Sequence, residues 1–202
     1  MWRPSPELAG HPDRLRWNAR YGGDFTPTFR PHPLASAALG LLTVSGPVLE
    51  LASGPSGGAL LAAAAGRQVT TVDASDVALG LLADEAARRG LGEMLTLVHA
   101  DLSAWQPESG GYALVLCTNF WDRAVFDAAV TGVAAGGVLG WESLTDAVRQ
   151  HRPDVPAQWC VGQGQPASLL PAGFEVLDQH DVPGRAGQPS VRRQLLARRH
   201  GA

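Results

Sequence analysis

Five short runs of apolar and β-branched residues alternate with helix-forming stretches through the middle of the chain. These runs cover residues 47–51, 68–73, 95–100, 112–117 and 138–142. Strands that read as nearly continuous apolar runs are buried on both faces, and they form parallel sheets whose crossovers are helices. Because such crossovers are right-handed, the alternation predicts a doubly wound α/β fold.

The stretches between and beyond these runs complete the predicted architecture. Helices are expected at residues 13–21, 34–44, 59–65, 76–89 and 122–133. Asp13 and Ser75 are the expected N-caps of the first and fourth helices, and Gly90 and Gly92 end the fourth. Two last strands, at residues 174–180 and 191–197, are separated by a loop rich in Gly and Pro. The expected sheet is mostly parallel and seven-stranded, with helices on both faces and an antiparallel last strand.

The 202 residues are expected to form one domain. Residues 1–45 supply an N-terminal arm and lid helices, with residues 1–12 as a loose arm. Residues 46–145 form the ligand-binding core. Residues 146–202 supply an irregular substrate-side loop and the last strands. A chain of this length buries about 70% of the surface that it exposes when unfolded, so it needs neither a metal nor a disulfide to fold.

Composition narrows the class of protein. The apolar share of 45% and the charged share of 17% exclude a disordered chain. A net charge of −3 provides no field for phosphates, so a nucleic-acid partner is not expected. The two cysteines, Cys117 and Cys160, have neither the spacing of metal ligands nor that of a disulfide framework. The sequence contains no cluster of His and Cys residues, so a metal site is not expected. Without a signal-like or membrane-spanning apolar stretch, we expect a cytoplasmic monomer or homodimer.

Polar residues follow the predicted strands where a ligand is expected. In doubly wound sheets the ligand lies outside the carboxyl ends of the strands, at the point where the strand order reverses. Glu50, Asp73 and Asp101 stand at or just after three of these ends, while Asn119 and Glu142 follow two others. Carboxylates without basic neighbours in sequence suit hydroxyl, amine and cationic groups better than a pyrophosphate.

Several of these segments resemble class I S-adenosylmethionine-dependent methyltransferases. The sequence Val-Leu-Glu-Leu-Ala-Ser-Gly-Pro at residues 48–55 resembles their first motif. The strand that ends at Asp73 resembles the second motif, and His-Ala-Asp-Leu at residues 99–102 resembles the third. The segments 16–21 and 136–143 are similar to those of a small-molecule branch that includes tellurite-resistance and thiopurine methyltransferase-like proteins.

The resemblance implies a Rossmann-like sheet, S-adenosylmethionine as the cofactor and S-adenosylhomocysteine as the product. Asp73 would bind the ribose, and Asp101 would contact the adenosine beside the backbone amide of Leu102. Glu50 has two readings that the sequence leaves open: a contact to the cofactor's amino group, or an acceptor for the amides of its own loop. The full set of implied cofactor contacts is Trp17, Tyr21, Glu50, Ala52, Gly54, Asp73, Ala74, Asp101, Leu102 and Asn119.

Contacts to the methyl acceptor are assigned to Trp121, Arg123 and Glu142, with a core role as the alternative for Trp121. No side chain stands out as a general base. The acceptor is expected to be a small molecule, methylated by in-line displacement. Trp17 and Tyr21, four residues apart, would share one face of a lid helix over the cofactor.

The chain departs from the family in its glycine-rich loop. Ala52, Gly54 and Ser56 occupy the positions of three glycines, so only the central glycine is kept. This departure leaves open a protein that binds the cofactor without catalysing a reaction. A nicotinamide-dependent oxidoreductase is a weaker alternative, because it would require Gly-x-Gly-x-x-Gly directly after the first strand.

Overall fold

The computed structural model describes residues 2–182 and 191–201, which form a single mixed sheet flanked by helices. The strands are β1 Val48–Leu51, β2 Val69–Asp73, β3 Leu95–His99, β4 Tyr112–Cys117, β5 Val133–Thr145, β6 Cys160–Val161, β7 Phe174–Val182 and β8 Arg192–Arg199. Their order is β3-β2-β1-β4-β5-β8-β7, and the short β6 pairs with the end of β5.

The direction of the strands confirms the predicted fold class. Strands β1 to β6 pair in parallel, whereas β8 runs antiparallel to both β5 and β7. The strand order reverses between β1 and β4, so the carboxyl ends of these two strands mark the expected ligand position. The path contains the seven strands expected from the sequence, and β6 is an addition to it.

Five α-helices of the described part of the chain cover the two faces of the sheet unequally. They are α1 Pro12–Tyr21, α2 Pro33–Gly40, α3 Gly57–Ala64, α4 Asp76–Arg88 and α5 Arg123–Gly132. Helices α2, α3 and α4 pack on one face through a core that includes Leu34, Leu60 and Leu82. On the other face, α5 packs with part of the segment 167–170 around Phe126 and Trp141.

Serine or aspartate side chains cap three of the described helices. Ser56, Ser75 and Asp122 accept hydrogen bonds from the amides of Ala59, Ala78 and Val125. The cap predicted for the helix 76–89 is thereby confirmed. The prediction of Asp13 as a cap was wrong, because α1 begins at Pro12 with His11 at its N-cap. Proline suits the first helical position, where an amide hydrogen would have no partner within the helix.

Helix α2 and strand β5 differ in length from those expected. Helix α2 ends at Gly40 rather than at residue 44. Beyond it, the amides of Leu41 and Leu42 donate hydrogen bonds to carbonyls three residues earlier in the chain, as in a 3-10 turn. Strand β5 is longer than expected because it begins at Val133 and continues to Thr145. The Gly/Pro-rich loop expected before the last strand includes residues 183–190, which lie outside the described residues.

The N-terminal arm is packed rather than loose as expected. Residues Pro6–Leu8 form a 3-10 turn in which Leu8 is buried. The Ser5 amide donates a 2.8 Å hydrogen bond to Nδ1 of His99, at the end of β3. The other nitrogen of that ring, Nε2, lies 3.0 Å from the Ala74 carbonyl and donates to it. His99 is therefore a satisfied, buried histidine that anchors the arm to the sheet.

Helix α3 begins in close contact with the chain that precedes α2. A Cβ atom at Gly57 would overlap the Phe29 carbonyl oxygen and would lie 2.5 Å from the Arg30 carbonyl carbon. These are backbone atoms, so a side chain could be accommodated only by moving the chain. Gly80, inside α4, has open space at the same position.

We expect opposite effects from the same substitution at these two glycines. Gly57→Ala should lower the free energy of unfolding by about 2 kcal/mol, the usual size of an overpacking effect. Gly80→Ala should raise it by about 0.5–1 kcal/mol, because alanine favours a helix interior. Denaturant unfolding of the two variants measures both effects, and a Gly57→Ala protein as stable as the parent would contradict the described contact.

Candidate functional site

The loops after β1, β2, β4 and β5 meet at one end of the sheet. Pairing of β1 with both β2 and β4 places the loop 52–56 between Asp73 on one side and Asn119 on the other. Register pairs Glu50 with Leu116 and Leu116 with Gly140, so Glu142 continues the same face of the sheet two residues further on. The candidate site therefore has a β2 side and a β5 side, divided by the end of β4.

Asp73 organises the β2 side. Its Oδ2 accepts a 2.7 Å hydrogen bond from the Gly54 amide, and its Oδ1 accepts one of the same length from the Ser75 amide. The residue is only 7% exposed, and burial raises its pKa in spite of these hydrogen bonds. A carboxylate has about four acceptor positions, so two amide donors leave room for a pair of hydroxyls.

The loop that binds Asp73 turns sharply at two residues. Ala52 and Gly54 have positive φ angles of 48° and 54°. The left-handed conformation favours glycine, and in Ala52 it places strain at the first of the three family positions. A Cβ atom at Gly54 would lie 2.9 Å from the Tyr21 hydroxyl oxygen, so the central glycine admits a close neighbour from α1.

Glu50 and Ser56 are linked beneath this loop. The Ser56 hydroxyl donates a 2.7 Å hydrogen bond to Oε2 of Glu50 and accepts one from the Ala59 amide. Glu50 is 4% exposed, and its burial raises its pKa to about 7 although Ser56 and His32 act in the opposite direction. These contacts support the reading of Glu50 as an anchor for its own loop. Its contact with a cofactor amino group stays a prediction.

Helix α1 lies over the β2 side and is tied to the first turn of α4. Arg14 contacts both carboxylate oxygens of Asp76, at 2.7 and 3.0 Å. Asn18 donates to Asp76 and accepts a 2.7 Å hydrogen bond from the Ser75 hydroxyl. Asn18 thus joins α1 to the residue beside Asp73.

The aromatic residues of this segment form a short stack above the loop. The rings of Trp17 and Tyr21 are stacked at 5.8 Å, and Phe25 meets Tyr21 edge-on at 5.3 Å. Burial and the charge of Asp73 raise the pKa of Tyr21 to about 12. None of the residues of α1 is fully buried, so the helix covers the site without belonging to the core. Contacts of Trp17 and Tyr21 with a cofactor stay predictions.

The end of β3 is occupied by local hydrogen bonds. Asp101 accepts from the Ser103 amide at 2.9 Å and from its hydroxyl at 2.6 Å, and His11 lies 3.4 Å away. The Leu102 side chain packs into the core below α5. The structure brings Asp101 and Ala74 to neighbouring strand ends, and the cofactor contacts of Ala74, Asp101 and Leu102 stay predictions.

The β5 side is built around Glu142, which is 2% exposed. Its Oε2 accepts a 2.7 Å hydrogen bond from Gln194, and Nε2 of His32 lies 3.5 Å away. Nε of Arg192 lies 3.6 Å from the other oxygen, Oε1, and donates a 2.8 Å hydrogen bond to Asn119. Asn119 has a positive φ of 58°, which turns its side chain from the end of β4 toward β8.

Two residues assigned to the acceptor lie elsewhere. The Trp121 ring packs against Phe126 and Trp141, with centroid separations of 5.4 and 6.3 Å. Arg123 forms an exposed ion pair with Asp127 one turn along α5. These contacts favour the core alternative for Trp121 and a surface role for Arg123, so Glu142 is the remaining acceptor candidate.

Sequence reasoning missed several polar residues of the site: Asn18, His32, Arg192 and Gln194. Arg192 belongs to an Arg-rich segment that is typical of a solvated edge, and His32 lies in a Pro-rich stretch without a motif. His32 is placed by its capping of α2, in which Nδ1 accepts from the Leu34 amide. Gln194 is placed by its pairing with Glu142 across β8 and β5. No local signal in the sequence identifies either contact.

Comparison with known proteins supports the prediction that the cofactor is S-adenosylmethionine. Residues 48–137 match the model of a family described as a methyltransferase domain. The match supports S-adenosylmethionine as the cofactor. No curated protein matches the sequence.

Three solved structures illustrate the shared fold. One, from work on the conversion of a disulfide bond into a thioacetal group in echinomycin biosynthesis, is 21% identical with a TM-score of 0.66, covering 93% of this chain and 92% of that chain. The [4+2]-cyclase SpnF is 18% identical with a TM-score of 0.63, covering 84% and 80%. The geranyl diphosphate C-methyltransferase of Streptomyces coelicolor A3(2), in complex with Mg²⁺, geranyl diphosphate and S-adenosylhomocysteine, is 12% identical with a TM-score of 0.63, covering 83% and 77%.

The burial of Glu50 predicts how the free energy of unfolding depends on pH. Because its pKa is about 7 in the folded protein and ordinary when unfolded, the folded state holds an extra proton between about pH 4.5 and pH 7. Its contribution to stability should fall as pH rises through that window. Glu50→Gln keeps the hydrogen-bond acceptor for Ser56 but cannot ionise. Relative to the parent, this variant should gain about 2 kcal/mol in free energy of unfolding between pH 5 and pH 8.

The measurement is denaturant unfolding of both proteins across this pH range. Glu175→Gln, at an exposed position on β7, is the matched control and should run parallel to the parent. A constant difference between Glu50→Gln and the parent at every pH would show that Glu50 does not hold the extra proton.

Proposed function

We propose that this protein is an S-adenosylmethionine-dependent methyltransferase that acts on a small-molecule acceptor. The observation that carries the proposal is the Asp73 carboxylate, buried at the end of β2 and fixed by the amides of Gly54 and Ser75. The family match to residues 48–137 includes this carboxylate and the loop that binds it.

The residues present fit the cofactor's chemistry. Asp73 retains acceptor positions for a ribose diol, and the positive φ of Gly54 brings backbone close to that position without a side chain. Asp101 and the backbone near Leu102 stand one strand further along, in the order that the resemblance implies for the adenosine. When bound, the cofactor supplies an activated methyl group on a sulfonium, so the chain need not generate a reactive electrophile.

The protein would then contribute to catalysis by positioning the two reactants and by excluding water. Helix α1 covers the β2 side through Arg14 and Asn18, while β5 and β8 present polar groups on the other side of the end of β4. Holding two reactants in line can contribute about 7–11 kcal/mol to lowering a barrier. A small acceptor suits a site enclosed in this way by one short helix and two strand ends.

Asp73 provides the first test of the proposal. Asp73→Ala should weaken binding of S-adenosylhomocysteine at least tenfold, because each charge-assisted hydrogen bond contributes about 1.5–3 kcal/mol. Titration calorimetry measures this loss of affinity. Asp73→Ala also removes the hydrogen-bond acceptor of the Gly54 and Ser75 amides, so the titration is done at a temperature where the variant is fully folded. Asp84→Ala, on the exposed side of α4, should bind like the parent.

Two results would contradict the proposal. One is an unchanged affinity in a folded Asp73→Ala protein. The other is a parent protein whose melting temperature responds to NAD or NADP and not to S-adenosylhomocysteine, which would favour the oxidoreductase alternative.

The position of α1 predicts a second effect of the cofactor. Asp73 lies beneath this helix, so the helix must move to admit a ligand and close again over it. A segment with few buried contacts opens at low free-energy cost. S-adenosylhomocysteine should therefore slow amide exchange across residues 13–25 by more than the general stabilisation seen in β4. Hydrogen-exchange mass spectrometry measures both segments, and equal protection of the two would show that α1 is a fixed structural helix.

One observation favours the alternative of a cofactor-binding protein without methyl transfer. Ala52 holds a strained conformation in a loop where the family has glycine, and a neighbour with this fold is described as a [4+2]-cyclase. Formation of S-adenosylhomocysteine from S-adenosylmethionine in the presence of an acceptor distinguishes the two. Binding without any product formation would favour the alternative.

A further inference from the structure

The β5 side of the site contains an anion that the cofactor contacts do not use. Glu142 lies at the carboxyl end of β5, separated by β4 from the strands that carry Glu50 and Asp73. Since the cofactor is assigned to the β1 and β2 side, the second reactant is expected across the point where the strand order reverses. Glu142 is the carboxylate at that position.

One oxygen of Glu142 is held in place while the other lacks a donor. Oε2 accepts from Gln194 at 2.7 Å and lies 3.5 Å from Nε2 of His32. Oε1 is buried and has no hydrogen-bond partner among the described residues. The nearest cation is Nε of Arg192, 3.6 Å away, but its hydrogen is donated to Asn119 instead. A buried acceptor without a donor is unfavourable, and a hydrogen bond from a ligand would remove that cost.

The surroundings keep this carboxyl group ionised. Burial raises the pKa of Glu142, but His32, Gln194 and Arg192 together outweigh that effect and hold it below its ordinary range. A carboxylate in this state is an acceptor only, so it favours an N–H or O–H group and repels another anion. A low pKa also makes it a poor general base, which points to recognition rather than proton abstraction.

We propose that Oε1 of Glu142 binds the methyl acceptor, and that the acceptor is an amine or a hydroxyl compound whose N–H or O–H donates to this oxygen. The inference rests on the proposed methyltransferase function. In the transfer, a lone pair of the acceptor nitrogen or oxygen forms the new bond to the methyl carbon. The carbon–sulfur bond breaks, its electron pair stays on sulfur, and the acceptor's proton leaves to water.

The hydrogen bonds of Glu142 predict how a glutamine at this position would be oriented. In Glu142→Gln the side-chain carbonyl will keep the position of Oε2, because Gln194 donates there. The amide nitrogen will then replace Oε1, so a position that accepted a hydrogen bond will present a donor. The change preserves shape while it inverts the hydrogen-bond preference of one atom.

The experiment measures S-adenosylhomocysteine formation with a panel of phenols, alcohols and amines, each matched to a carboxylic acid on the same carbon skeleton. The parent protein should methylate members of the first three classes and leave the acids. Glu142→Gln should reduce kcat/KM for those substrates at least tenfold, while its Kd for S-adenosylhomocysteine stays within threefold of the parent. Glu175→Gln should match the parent in both measurements.

A shorter side chain that keeps the charge provides an independent check. Glu142→Asp should retain the preference for amines or hydroxyl compounds over acids, with a lower kcat/KM, even if the glutamine variant does not fold. Preferential methylation of carboxylic acids by the parent would overturn the inference. So would a folded Glu142→Gln protein with kcat/KM within threefold of the parent.

The outcomes separate this inference from the function on which it rests. A parent protein that does not bind S-adenosylhomocysteine contradicts the methyltransferase proposal itself. A parent that binds it and methylates the matched acids, but none of the amines, phenols or alcohols, overturns only the role assigned to Glu142.

Discussion

Asp73 accepts hydrogen bonds from two backbone amides, and these bonds join two loops. Gly54 lies nineteen residues before Asp73 in the sequence, and Ser75 lies two residues after it. Through Gly54 the carboxylate fixes the turn after β1, and through Ser75 it fixes the beginning of α4. Because both partners are backbone amides, the contact sets the path of the chain as well as the position of a side chain. The rest of the site is built outward from this contact, since Ser75 also receives α1 through Asn18.

The two sides of the site differ in how their charges are compensated. On the β2 side, Asp73 and Glu50 are buried among hydroxyls and amides, and burial raises the pKa of each. On the β5 side, Glu142 has cationic and amide neighbours that lower its pKa. One fold therefore provides one side on which the pKa values of the carboxyl groups are raised and another on which the pKa of a carboxyl group is lowered. A reaction between a cationic cofactor and an acceptor with N–H or O–H groups suits such a division.

Much of the molecule follows from short-range patterns. Apolar runs separated by helices determine a parallel sheet, because strands buried on both faces need helical crossovers. The caps at Ser75 and Asp122 follow from side chains that bond amides within three residues. Asp73 and Gly54 were also predicted as site residues, because strand ends and tight turns are local features of the sequence.

Contacts between distant segments could not be predicted in this way. The pairing of Glu142 with Gln194 depends on the antiparallel insertion of β8 between β5 and β7, and the approach of His32 depends on where α2 crosses the sheet. The packing of residues 2–12 on the end of β3 likewise depends on contacts between distant residues, such as the hydrogen bond from Ser5 to His99. The sequence alone determined the sheet, its helices and the carboxylates at the strand ends, since each depends on neighbours a few residues apart. Only the tertiary structure decided which carboxylate is shielded, which is paired and which has an oxygen without a donor among the described residues, because burial and charge compensation come from segments far apart in the chain.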